Sequence, residues 1–156
     1  MGLFDKLKAV KNVITGGAAK VYVDCDNFSL NEPFRVTVRA LIDDAPVKMS
    51  RAYLYIKGEE QIEVPDTDVV FDEEGGPQRR TETVYASHET LRLDITVADG
   101  EELQPHQAYK WEVEVELPSS APQIYRGCYC QHVYSMYAGL DCFGNDPDSG
   151  WVELNA

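Results

Sequence analysis

Apolar and polar residues alternate along most of this chain. Val21, Val23 and Cys25 alternate with Tyr22 and Asp24, and Val36, Val38, Ala40 and Ile42 alternate with Arg35, Thr37 and Arg39. Successive side chains of a strand point to opposite faces, so a period of two predicts strands with one face toward a core. A third strand is expected over about residues 48–58, with Ala52, Leu54 and Ile56 opposed to Tyr53 and Tyr55, and residues 59–64 prolong it. Strands over 79–86 and 89–97 follow. The sharpest alternation is Trp111, Val113, Val115 and Leu117 against Lys110, Glu112, Glu114 and Glu116, one face core and the other solvent. Residues 66–80 break the pattern with Asp68, Asp72, Glu73, Glu74 and then Gly75-Gly76-Pro77. They predict a long exposed hairpin loop without order of its own.

Residues 117–148 organise the rest. A proline-rich bend (Pro118, Pro122) leads into a long strand in which Cys128, Cys130, His132, Tyr134, Met136, Ala138 and Leu140 share one face. That face is expected in the core. The other face carries Gln131, Ser135 and Gly139, but also Tyr129, Val133 and Tyr137, which makes these three candidate contact residues. A short strand at 151–154 closes the pattern after the turn at 146–150.

The first 17 residues follow a different rule. Leu3, Phe4, Leu7, Val10 and Ile14 recur at spacings of three and four, with Lys6, Lys8 and Lys11 between them. This is an amphipathic helix, stopped by Gly16-Gly17. Its apolar stripe fits either protein surface or a membrane interface. The chain therefore divides into a leader helix, 1–17, and one domain, 18–156. No helical period follows Gly17. Seven or more strands at this spacing argue an all-β, immunoglobulin-like antiparallel sandwich.

Several of these positions resemble the N-terminal domain of arrestins, over roughly residues 21–153. There a proline-rich turn precedes a long strand ending in an Ala-x-Leu-Asp run; here Pro118, Pro122, Gly127, Tyr134, Ser135, Met136, Ala138, Leu140 and Asp141 stand in that order. Ala52-Tyr53-Leu54-Tyr55-Ile56-Lys57-Gly58 is similar to the family's strand ending in Gly. Gly100-Glu101-Glu102-Leu103-Gln104-Pro105-His106 is similar to its Gly-x-x-Leu-x-Pro-Gly turn, with His106 where the family has Gly. The leader followed by Ala18-Ala19-Lys20-Val21 is similar to the opening of bacterial sporulation-control arrestin-like proteins. The resemblance implies an arrestin-type sandwich and a role in binding proteins. Arrestins usually carry two sandwiches, and this chain has room for one. The inter-domain surface would then be exposed, which implies self-association.

Composition narrows the partners. The 27 Asp and Glu against 14 Lys and Arg give a net charge of −13. Such a field disfavours nucleic acid and anionic membrane as partners of the domain body. Residues 1–19 lack the apolar core of a secretory signal and no run is long enough to span a membrane, so a cytoplasmic setting with reduced thiols is expected.

Candidate chemistry is sparse. His88, His106 and His132 are far apart in sequence, and no nucleophile elbow, phosphate loop or zinc-protease helix is present. Cys128, Cys130 and His132 share a strand face, but a straight strand spreads them over ~13 Å, too wide for one tetrahedral ion. Asp141, Asn145, Asp146 and Asp148 lack calcium-loop spacing and read as a hydrogen-bonded turn. The expectation is a non-enzymatic, cytoplasmic interaction module or scaffold with no catalytic residues, cofactor or metal. Its candidate contact residues are Leu3, Phe4, Leu7, Val10, Ile14, Tyr129, Val133 and Tyr137. Its partner is another protein or a second copy; the alternative is a membrane-peripheral protein held by the leader.

Overall fold

The computed structural model describes residues 18–71 and 73–155. The expected leader helix lies outside the described residues. Eight strands make up the rest: β1 (Ala19–Asp26), β2 (Phe34–Ile42), β3 (Val47–Phe71), β4 (Pro77–Leu103), β5 (Ala108–Val115), β6 (Tyr125–Arg126), β7 (Cys130–Cys142) and β8 (Val152–Leu154). They form two antiparallel sheets. One has the order β1-β2-β5; the other has the order β4-β3-β7-β6, with β8 also pairing β7. The fold is the all-β antiparallel sandwich that the alternation predicts.

Alternation decides which side chains meet between the sheets. Val21 and Val23 of β1 and Phe34, Val36, Val38, Ala40 and Ile42 of β2 face Ala52, Leu54 and Ile56 of β3 and Tyr134, Met136, Ala138 and Leu140 of β7. All are buried. Each buried Val, Leu, Ile, Phe or Met among them contributes ~1.5–3 kcal/mol. Tyr134 is the largest fully buried side chain. Its ring packs at 5.7 Å from Phe28, and its hydroxyl donates to the Pro122 carbonyl at 2.6 Å. That bond ties the proline bend to the core.

The outer face of the three-stranded sheet is a charged ladder. Arg35 lies between Asp26 and Glu114, its partners in register on the two neighbouring strands. Opposite charges directly across a ladder are mutually favourable.

Two stretches differ from the sequence expectation. Residues 66–71 and 77–80 are not loop: they are paired strand, in register from Ile62↔Ala86 to Phe71↔Pro77. Val69, Val70, Thr81, Thr83, Val84 and Tyr85 are β-branched or aromatic, and they favour an extended ribbon over coil. The two strands expected at 79–86 and 89–97 are one continuous β4, with register shifts near Gly58/Glu59 and Ala52/Tyr53. The result is a two-stranded arm that leaves the sandwich beyond Ile62, where β7 ends its pairing with β3.

Candidate interaction surfaces

The outer face of the β3–β7 sheet is aromatic. Tyr53, Tyr55 and Tyr137 stand together, with ring centroids 4.8 to 6.4 Å apart, and Trp151 adds to Tyr137 at 5.2 Å. Residues 147–149 run antiparallel along the edge of β7, and from there Asp146 and Asp148 reach this face. Leu140 N donates to Pro147 O at 3.0 Å, Ser149 N donates to Ala138 O at 2.8 Å, and Ala138 N donates to Ser149 Oγ at 3.0 Å. The acidic turn is used internally. Asp146 accepts from Cys142 N at 3.0 Å and from the Tyr53 hydroxyl at 3.5 Å, and Asp148 accepts from Gly150 N at 2.9 Å. Burial first, and then the Asp146 carboxylate, pushes the Tyr53 phenol well above its usual range. Burial and a hydrogen bond to Asp148 do the same for Tyr137.

The three odd-face candidates are placed differently from one another. Val133 is buried, Tyr137 is half-buried against Trp151, and Tyr129 is exposed in the β6–β7 turn. Leu3, Phe4, Leu7, Val10 and Ile14 lie outside the described residues. Next to Val133 runs a chain of polar side chains. Lys57 Nζ lies 4.4 Å from the Trp151 ring centroid and 3.4 Å from Glu59. Gln61 donates to Glu59, Gln131 donates to Gln61 at 2.6 Å, Arg126 donates to Gln131 at 3.2 Å, and Arg126 also pairs with Glu153.

The β6–β7 turn closes through Gly127 N donating to Cys130 O at 2.7 Å. It borders a cleft of about 550 Å³ between Cys128, Tyr129 and Gln131 on one side and Glu63, Tyr85 and Ser87 at the root of the arm. Cys128 is exposed and Cys130 half-buried. His132 is buried, with Nε2 2.7 Å from the Thr90 hydroxyl and its ring edge-on to Tyr134. His88 lies opposite Glu60, which is also the partner of His132 across the β3–β7 ladder, while His106 lies apart in the turn before β5. Among the described residues no group of three or more His, Cys, Asp or Glu is placed to hold a metal ion.

A further surface was not singled out by the sequence pattern. The edge strands β4 and β5 face one another across the open flank of the sandwich. Leu91, Leu93, Ile95 and Val97 of β4 and Tyr109, Trp111 and Val113 of β5 point inward and pack on the core, yet all stay half-buried. Trp111 and Val113 were expected to be core. They are core-facing, but they sit on an edge with no strand beyond it. Tyr109 and Trp111 stack at 5.9 Å, and the Tyr109 hydroxyl accepts from Gln104 N at 2.9 Å.

No protein-family model matches this chain, and no curated protein matches it. Among solved structures its fold is similar to the crystal structure of Spo0M, sporulation control protein, from Bacillus subtilis, with a TM-score of 0.57 and 18% identity. The match covers 88% of this chain and 49% of that one, so the chain spans about half the length of the structure it matches. Two antiparallel sheets, the order β1-β2-β5 against β4-β3-β7-β6, and this likeness together give the chain an arrestin-type β-sandwich, the fold of a bacterial sporulation control protein.

Proposed function

We propose that this chain is a non-enzymatic, cytoplasmic interaction module with a regulatory role, working through protein contacts at the open β4–β5 flank. The observation that supports this is the row of inward-pointing but half-buried side chains there, Leu93, Ile95, Trp111 and Val113 among them. Apolar surface of this kind gains from being covered. A regulatory role is in keeping with the name of its structural neighbour.

The occupant proposed for the flank is the chain's own segment 1–17. Its Leu3, Phe4, Leu7, Val10 and Ile14 form one stripe, and it carries three lysines against one aspartate on a chain of net charge −13. Where it joins the sandwich also fits. Asp43 N donates to Ala18 O at 3.1 Å and Ile42 N donates to Gln107 O at 3.0 Å, so the segment enters at the end where β5 begins. β1 and β5 are two strand spacings apart, ~10 Å, well within the reach of 17 residues.

A photo-cross-linking residue at position 111 of the full chain tests this. Cross-links to residues 1–17, lost in a Phe4→Asp/Leu7→Asp variant, support it. Cross-linking to no protein segment, together with liposome binding that requires residues 1–17, overturns it in favour of the membrane-peripheral reading.

A further inference from the structure

The arm has one guarded edge and one open edge. Beyond Ile62 its β3 side carries Pro65, Asp66 and Asp68. Proline cannot donate to a ladder, and charges discourage strand addition, so that side resists pairing. The β4 side carries charges as well, Arg79, Arg80, Glu82 and Glu89, but no proline beyond its first residue, Pro77. β4 also ends the sheet order. From Thr81 to Thr90 it reads Thr, Glu, Thr, Val, Tyr, Ala, Ser, His, Glu, Thr, a sequence rich in good strand formers.

The arm also cannot satisfy its own apolar groups. Ile62, Val64 and Val84 share one face, and Val69, Phe71 and Tyr85 share the other. All are exposed, Phe71 at 77% and Tyr85 at 72%. An isolated two-stranded ribbon is only marginally stable in water.

We propose that two copies of this chain pair through the outer edges of β4, antiparallel about a two-fold axis at Val84. The charges of the strand select this register. Centring on Val84 places Arg79 opposite Glu89 of the second copy, twice by symmetry, where it joins the exposed pair that Glu89 already makes with Arg92 of its own chain at 2.9 Å, with Thr81 opposite Ser87 and Thr83 opposite Tyr85. Centring on Ala86 instead sets Arg80 against Arg92. Centring on Thr83 or Tyr85 leaves Arg79 opposite Ser87 or Leu91. Centring on Thr81 matches Arg80 with Glu82 but pairs only residues 77–85. Around Val84 the whole stretch 77–91 pairs, and a four-stranded sheet results. Its central row is Val64, Val84 and their two symmetry mates, flanked by Ile62 and Ala86. That row covers apolar groups the single arm leaves in water; the basic pair it sets opposite one another is Arg80 and His88, and no two acidic residues face each other.

The test uses the full chain in a Cys128→Ser background. Residues opposite each other at a two-fold axis have Cα atoms ~4.5–5.5 Å apart, within disulfide range. Under mild oxidation Val84→Cys should therefore form a covalent dimer, while Val69→Cys, on the guarded strand, should stay a single chain. Sedimentation should show a dimer whose dissociation constant rises about tenfold in Arg79→Glu and in Glu89→Arg. The double variant restores it. A single-chain mass at ~100 μM, a concentration weak dimers with micromolar constants would survive, overturns the proposal. Cross-linking at Val69 as readily as at Val84, or no rescue by the charge swap, overturns it as well.

Discussion

The ring of Tyr53 lies against the bare backbone of Gly139, its directly opposite partner across the β3–β7 ladder. A Cβ at position 139 would stand 2.6 Å from Tyr53 Cζ and closer still to its hydroxyl. Tyr53 has little room to yield, being buried between Tyr55, Tyr137 and Asp146. Gly139→Ala should therefore destabilise the fold by about 1–3 kcal/mol through overpacking. Thermal or urea melts check this. In a Tyr53→Ala background the penalty should largely disappear, because the clash is pairwise. An equal penalty in both backgrounds would refute the clash.

His106 holds a backbone conformation that suits glycine. Its φ is +60°, and its N–H donates to both Ile42 O and Asp43 O at 3.1 Å, which joins the β5 turn to the end of β2. A residue with a Cβ costs about 1 kcal/mol in this left-handed region. His106→Gly should raise the melting temperature by roughly 2–4 °C, less whatever the greater freedom of the unfolded chain takes back. A lower melting temperature would show that the side chain, 3.6 Å from Asp44, outweighs the backbone.

Much of the sandwich was legible because the alternation is written twice, in core-facing valines and in the charged residues between them. The paired core of β2, β3 and β7 follows from that alone. The Gly-x-x-Leu-x-Pro-x turn was legible too, although His106 stands in the glycine's place and adopts its backbone. The arm was not legible. Its acidic and glycine-rich tip, Asp68 to Gly76, has the composition of a loop, and local composition cannot report that cross-strand pairing continues to Phe71↔Pro77. The candidate surface was half legible. Tyr129, Val133 and Tyr137 stand out in the sequence as apolar residues on the polar face, and the structure leaves Tyr129 exposed, Tyr137 half-buried and Val133 buried. But residues 147–149 pair with the edge of β7 and bring Asp146 and Asp148 to Tyr53 and Tyr137, and such a contact has no periodic signal. The open flank was hidden for the opposite reason. Trp111 and Val113 alternate as core residues do, and only the sheet order shows that β5 is an edge.

Three of the four thiols should separate by reactivity. Burial first, and then Asp24 and Asp26, pushes Cys25 up to about 11; burial, Asp146 and Asp141 do the same for Cys142. Both are neutral at physiological pH, and the thiolate is the reactive form. Cys128 is exposed in its turn. Alkylation by iodoacetamide at about pH 8, near the ordinary thiol range, should modify Cys128 well before Cys25 and Cys142. Peptide mass spectrometry over time reads the order. Labelling of Cys142 as fast as Cys128 would mean that residues 143–150 open readily from the sheet.

Alkaline titration tests the same segment from the other side. Tyr53 and Tyr137 have phenols raised above their ordinary value, in both cases by burial first, and then by Asp146 for Tyr53 and by the hydrogen bond to Asp148 for Tyr137. Tyr134 is raised by burial. In the unfolded chain a tyrosine ionises near pH ~10. The folded state therefore holds these protons more tightly. The stability they contribute is complete below about pH 10 and is lost as pH rises from there through the folded values. A rapid jump to about pH 11.5, above the unfolded tyrosine range, followed by phenolate absorbance, should show most of the nine tyrosines ionising at once. A remaining group should ionise only at the rate of unfolding. That slow amplitude should shrink in Tyr137→Phe. An Asp148→Asn variant, which removes the carboxylate that opposes the phenolate, should ionise Tyr137 at lower pH. Immediate ionisation of all nine in the unmodified protein would show that Asp146 and Asp148 do not hold these phenols in solution.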